Sequence, residues 1–121
     1  MKRLLTLATA LAVGGSMLAG IQTASADGFP EKPVKLIVPF GQGGSSASAA
    51  RTMQKILDDN DLLPVPMAIT YVPGAAGTIG ARQVKDSNPD GYTILLWHVA
   101  MNGSAAMGTV DFGPADFEPF F

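Results

Sequence analysis

Between residues 34 and 40 the chain reads Val34-Lys35-Leu36-Ile37-Val38-Pro39-Phe40, an apolar and largely β-branched run interrupted by one lysine. Such near-continuity, without strict alternation, predicts a strand covered on both faces in a parallel sheet. Gly41-Gln42-Gly43-Gly44-Ser45-Ser46 ends that run. From about Ser46 the chain turns to helix formers, with Ala49, Met53, Ile56 and Leu57 at i, i+4, i+7 and i+8, so one helix face carries an apolar stripe. Ser45 or Ser46 is the expected N-cap. The helix should finish in Asp58-Asp59-Asn60-Asp61, because carboxylates at a C-terminus oppose the macrodipole and short polar side chains favour turns.

The same alternation recurs twice. Pro64 and Pro66 precede a second strand over 67–72, followed by the small-residue turn Pro73-Gly74-Ala75-Ala76-Gly77 and a short helix over about 78–86. Asn88-Pro89-Asp90-Gly91 marks a turn, and residues 92–97 form a third, uncharged strand that opens into His98-Val99-Ala100-Met101-Asn102-Gly103-Ser104. The order βαβαβ predicts an α/β fold with a parallel sheet and helices on its faces. Ligands of such sheets bind beyond the carboxyl ends of the strands, which selects three loops: 41–46, 73–78 and 98–104.

Composition narrows the chemistry. Among 121 residues, 47% are hydrophobic and 15% charged, with 14 Gly, 9 Pro, no Cys and one His, which fits a single small globular unit. Eight basic against ten acidic residues give a net charge of −2, and the basic ones are scattered, which argues against nucleic acid or an anionic membrane surface as partner. The absence of Cys and the lone His98 exclude a disulfide framework, a thiolate nucleophile and an ordinary Cys/His zinc site. Residues 1–26 read as a signal peptide: Met1-Lys2-Arg3 is a basic start, residues 4–20 carry no charge, and Ala24-Ser25-Ala26 is a small-x-small cleavage site. Glycines and Ser16 interrupt the apolar part well short of a membrane span. Cleavage after Ala26 would release residues 27–121 into an exported compartment, most simply a bacterial periplasm. That product keeps six basic and ten acidic side chains, a net charge of −4, so an anionic ligand has to be held by local groups.

The three loops contain Gly, Ala, Ser, Thr and Asn and no Asp, Glu, Lys or Arg; only His98 titrates near neutral pH. Acid/base or nucleophilic catalysis needs placed titratable groups, so it is poorly supported. Glycine loops at helix starts offer backbone N–H groups and a favourable dipole, a cradle for carboxylate or phosphate. The pattern Gly41-x-Gly43-x-x-Ser46 lacks the third glycine of a dinucleotide fingerprint, and no Lys follows Gly44 as a Walker loop requires, so no cofactor is expected. The Gly43-Gly44 pair serves equally as a plain tight turn. His98 reads as a capped loop histidine ahead of a metal ligand, Met101 and Met107 as core filling ahead of ligand contacts, and Arg51 as a solvated or paired helical residue.

Four co-linear motifs nevertheless carry a resemblance. Residues 33–40 running into Gly43-Gly44, then residues 73–81, then Pro89-Asp90-Gly91-Tyr92-Thr93, then Asp116-Phe117-Glu118-Pro119, resemble the substrate-binding receptors of tripartite tricarboxylate transporters, the Bug/TctC family. The resemblance implies the first lobe of a periplasmic Venus-flytrap receptor that closes on a small di- or tricarboxylate and presents it to membrane permease subunits without catalysis. It places ligand contacts at Gly43, Gly44, Ser45 and Ser46, around Gly77 and Thr78, and at His98, Asn102 and Ser104. This chain has Ala47 where the family often has Asp, and Tyr71 where it often has Asn. The family fold needs a considerably longer chain, so residues 27–121 are expected to be an incomplete N-terminal lobe with the second lobe absent. On that expectation Trp97, Phe112, Phe117, Phe120 and Phe121 lack assured cover and the isolated product tends to instability. A competing reading is a small exported hydrolase using Ser45 or Ser46 with His98.

Overall fold

The computed structural model describes residues 28–120; the expected leader, its cleavage site and Phe121 lie outside them. Three strands, β1 (Val34–Val38), β2 (Met67–Tyr71) and β3 (Thr93–Leu95), alternate with three helices, α1 (Ser45–Asp59), α2 (Thr78–Lys85) and α3 (Val99–Ala106). All pairing is parallel, in the order β2-β1-β3, so the first strand lies in the middle. The α/β architecture read from the sequence is the architecture observed. Because the chain steps from β1 to one side and then back across it, crossovers of one hand must put α1 and α2 on opposite faces of the sheet.

The side chains sort accordingly. Val34, Leu36 and Val38 of β1 align with Met67, Ile69 and Tyr71 of β2, and Leu36 also aligns with Ile94 of β3. Leu36, Val38, Met67, Ile69, Tyr71, Ile94 and Leu96 pack in one cluster with Ala50, Met53 and Leu57 of α1. On the other face Leu95 and Trp97 pack with Ala81 of α2, Met101 of α3 and Phe112. Period-two side chains on three parallel strands thus build two cores from one sheet. Ile37 and Val38 are fully buried, and only Lys35 of β1 is exposed.

Four details correct the sequence reading. The N-cap of α1 is Gly44, not Ser45 or Ser46, and no side chain caps that end. β3 is shorter than residues 92–97, although Lys35 N–H donates to the Tyr92 carbonyl and Leu96 N–H to the Ile37 carbonyl at its two ends. Residues 98–104 are not a loop: α3 begins at Val99, because the His98 side chain accepts the Ala100 N–H and starts a helix there. Phe112 has cover, being only 5% exposed. It lies within the second core, with the Arg82 guanidinium 4.9 Å from its ring centroid and the Phe117 ring edge-on at 6.1 Å. Trp97 and Phe117 are half-buried against each other at 5.2 Å, whereas Phe120 remains 66% exposed.

Truncating Phe112 to Ala should therefore cost about 3–5 kcal/mol of unfolding free energy by chemical denaturation, since the second core would lose its largest buried member. Acid should act through Asp111, whose carboxylate accepts a 2.7 Å hydrogen bond from Arg82 Nη2. That bond first, then its own backbone N–H and the charge of Arg82, holds the Asp111 carboxyl below its ordinary value. A lowered carboxyl stabilises the fold above the unfolded pKa of about 3.9 and loses that contribution as pH falls through the folded value. Melting curves of the native chain and Asp111→Asn should accordingly differ near neutral pH and converge in acid below the usual carboxylate range; a constant difference would assign the effect to something other than this pair.

Candidate functional site

Parallel strands end together, so the segments following β1, β2 and β3 all leave the sheet at one edge. After β1 come Pro39, Phe40 and a turn closed by the Gly44 N–H on the Gly41 carbonyl at 3.3 Å. Helix α1 opens there, with the Ser48 N–H on the Gly44 carbonyl at 3.1 Å. The N–H groups of Ser45, Ser46 and Ala47 have no acceptor among the described residues, as the first turn of an uncapped helix dictates.

After β2 the backbone takes an unusual course. Gly74, Ala75, Ala76 and Gly77 all have positive φ, at 135°, 44°, 53° and 92°. Left-handed backbone at the two alanines costs roughly 1–2 kcal/mol each, which the tertiary contacts must offset. A 3-10 turn at Ala75–Gly77 then leads into α2, with Thr78 Oγ1 donating to the Ala75 carbonyl at 2.8 Å. Gly77 is buried, and a Cβ there would lie 3.1 Å from Phe40 Cζ and 3.2 Å from Met101 Cγ. The end of β1, the strained turn and α3 therefore meet at Gly77.

Beside it the His98 ring packs on Phe40 with centroids 4.7 Å apart. Its Nδ1 accepts the Ala100 N–H at 3.1 Å, so the neutral ring carries its proton on Nε2. His98 is hydrogen-bonded, as the milder sequence reading expected, but it caps the start of α3 where that reading had a capped loop residue. Asn102 is exposed and its Oδ1 accepts from Trp97 Nε1 at 2.9 Å. Ser104 is buried, and its carbonyl accepts both the Thr109 N–H and hydroxyl. Met101 is core and Met107 is exposed.

The expected residues therefore fall into two groups, with Asn102 apart from both, exposed and bonded to Trp97. Gly43, Gly44 and Ser45 are exposed and Ser46 partly so, at the open start of α1. Gly77, Thr78, His98 and Ser104 belong to the packed floor beside it. Among the described residues no hydrogen bond joins Ser45 or Ser46 to His98, and neither does any cluster of three or more His, Asp or Glu side chains offer a metal site. One side chain that sequence reasoning set aside does reach the rim. Arg51 Nη1 donates to the Gln42 carbonyl at 3.1 Å and to Tyr71 Oη at 3.2 Å.

Glycine does different work at the two places. Gly77 is required by φ and by space. Gly43 and Gly44 are required by neither: they lie outside the positive-φ set, an added Cβ at 43 meets nothing within 4 Å, and one at 44 meets only the Gly41 carbonyl oxygen at 3.7 Å.

No family model matches the chain. It is 40% identical over 89 residues to the protein BugT of Bordetella pertussis, covering 71% of this chain and 27% of that one. Among solved structures, a TctC solute binding protein from Polaromonas superposes with a TM-score of 0.64 at 28% identity, over 69% of this chain and 28% of the other. The periplasmic binding protein BugD gives a TM-score of 0.51 at 39% identity, over 55% and 22%. Over the matched stretch the chain is similar in sequence and in backbone to Bug- and TctC-type solute-binding proteins. It spans about a quarter of the length of the curated Bug-type relatives it matches. The alternative of a hydrolase finds no support in these Bug and TctC relatives.

The contrast between the glycines is measurable in this Bug-type lobe. Gly77→Ala should lower stability by more than about 1 kcal/mol, since it combines a left-handed backbone with contacts to Phe40 and Met101. Gly43→Ala should be neutral or raise stability by up to about 1 kcal/mol. Thermal melting of the two variants side by side would reveal the ordering.

Proposed function

We propose that this protein is a periplasmic receptor for a small organic acid of the di- or tricarboxylate type, which it delivers to the permease subunits of a tripartite transporter without transforming it. The observation that carries the reading is the glycine pair at 43 and 44. Neither residue is demanded by backbone angle or by crowding, and each leaves open space where a side chain would stand. What glycine does provide there is close approach to the backbone at the start of a 15-residue helix whose first N–H groups are uncapped. Those groups, with the helix dipole behind them, suit a carboxylate.

On this reading Gly43 and Gly44 let the first carboxylate approach the backbone, the Gly44 N–H itself being held by the Gly41 carbonyl, and Ser45 and Ser46 supply N–H and hydroxyl donors. Gly77 and Thr78 contribute as the support of the second turn, their N–H and hydroxyl donors being spent on the Gly74 and Ala75 carbonyls. His98 Nε2 and the Asn102 amide face the guest from the start of α3; Ser104 supports that helix from inside. Residues 27–121 correspond to the N-terminal lobe, and export through the 1–26 leader agrees with relatives that are periplasmic binding proteins. No cofactor enters the process, because reversible capture needs only oriented dipoles.

The test exploits the space at position 44. Gly44→Leu keeps an allowed backbone, with φ at −86°, yet fills the cradle. In a titration of the isotopically labelled chain with succinate followed by amide NMR, the N–H signals of residues 43–47 should move in the native chain and stay still in the variant. Equal shifts in both, with the variant folded by circular dichroism, would remove the cradle.

A further inference from the structure

Of the two arginines among the described residues, Arg82 is neutralised by Asp111 at 2.7 Å, whereas Arg51 has no carboxylate of a described residue within 4.0 Å. Its hydrogen-bond partners are all neutral. Nη1 spends both of its N–H groups, on the Gln42 carbonyl at 3.1 Å and Tyr71 Oη at 3.2 Å, and Nη2 lies 3.4 Å from Ser48 Oγ. A guanidinium has five N–H donors, so two are left over. Its positive charge is held in place but not cancelled.

The anchors fix where that charge stands. Gln42 immediately precedes the glycine pair, and Ser48 closes the first turn of α1 on the Gly44 carbonyl. Tyr71 is the last residue of β2, aligned with Val38 at the end of β1. The guanidinium is therefore tied to the glycine turn, to the first turn of the helix and to the adjoining strand end, on the rim of the proposed cradle. Tyr71 accepts from Arg51 and has no acceptor for its own proton among the described residues, so a second donor, polarised by the cation, stands beside the first.

We propose that Arg51 and Tyr71 form a clamp for a second anionic group, making Arg51 the residue that selects a dicarboxylate over a monocarboxylate. This rests on the cradle reading: one carboxylate sits on the uncharged N–H groups at the start of α1, and the other, joined to it by a short chain, takes the free N–H groups of Arg51 and the Tyr71 hydroxyl. Neutral dipoles recognise any carboxylate alike, while a fixed cation distinguishes one charge from two. Planar, bidentate donation suits a guanidinium better than an ammonium for the purpose.

Succinate and butyrate separate the two parts, since they share a chain length and differ by one carboxylate. In the native chain succinate should bind more tightly than butyrate by roughly five- to tenfold, a charge-assisted contact at a partly solvated site, and only succinate should shift the Arg51 Nε–H signal. Arg51→Gln should abolish the preference while leaving butyrate affinity intact, Arg51→Lys should restore part of it, and Tyr71→Phe should reduce it without touching butyrate. If Arg51→Gln weakens both ligands equally, or if succinate and butyrate bind the native chain alike, Arg51 is only a brace for the turn and the clamp is overturned while the cradle stands. If butyrate fails to perturb residues 43–47 at all, the cradle itself falls and the clamp with it. Should Arg51→Gln unfold, the native chain's Nε–H response and the Tyr71→Phe comparison still decide the matter.

Discussion

The parallel pairing of β1 with both neighbours is the constraint on which the rest depends. Hydrogen bonds from one central strand to two flanking strands in the same direction force every strand to end at the same edge. They also force each return of the chain through a helix on one face or the other. Leu36 and Val38 look to α1 and the residues between them to the opposite side, so the strand that organises the hydrogen bonding also divides the core. Apart from the exposed Lys35, a strand buried this deeply has no room for polar side chains. Chemistry is consequently displaced to the loops at its exit.

Those loops are shaped by two opposed demands. The turn after β2 is conformationally costly, with four successive positive φ values, and is held by a buried glycine wedged between Phe40 and Met101. The turn after β1 is held by hydrogen bonds alone, and neither crowding nor left-handed backbone requires its glycines. On the proposed reading, a rigid floor beside an open, donor-rich rim suits a site that holds a small guest and lets it go. Rigidity fixes the donors before binding, which keeps the ordering cost low. Openness admits the ligand to the backbone. His98 belongs to the rigid half, where it starts α3 and covers Phe40.

The similarity to Bug- and TctC-type proteins and the glycine geometry point the same way from independent directions. The similarity rests on shared sequence over part of the relatives' length and on superposable backbone. The cradle rests on space and angle at two residues of this chain. Where the chain departs from the common family pattern, at Tyr71, the structure gives that departure a partner: the phenol oxygen receives the guanidinium of Arg51. The substituted residue is thus integrated into the rim.

Local patterns were sufficient to determine the βαβαβ order up to β3, the parallel sheet and the three exits, because strand burial and helix stripes leave a period in the sequence and glycine-rich turns interrupt it. The four motifs carried the family resemblance for the same reason: each is contiguous, so its residues are read together. What depended on contacts between distant segments was decided only by the folded chain. His98 starts a helix instead of a loop because its ring nitrogen finds the Ala100 N–H, a capping choice that histidine's weak helix signal does not announce. Phe112 found cover from Ala81 and Met101, across the sheet's second face. Whether Gly43, Gly44 or Gly77 was a structural glycine could not be read from composition, since the question is what a Cβ would touch. Arg51, dismissed as a surface cation by its place on the helix, reaches the rim because its long side chain ends far from its backbone, and only three-dimensional placement says where a flexible chain of that length comes to rest.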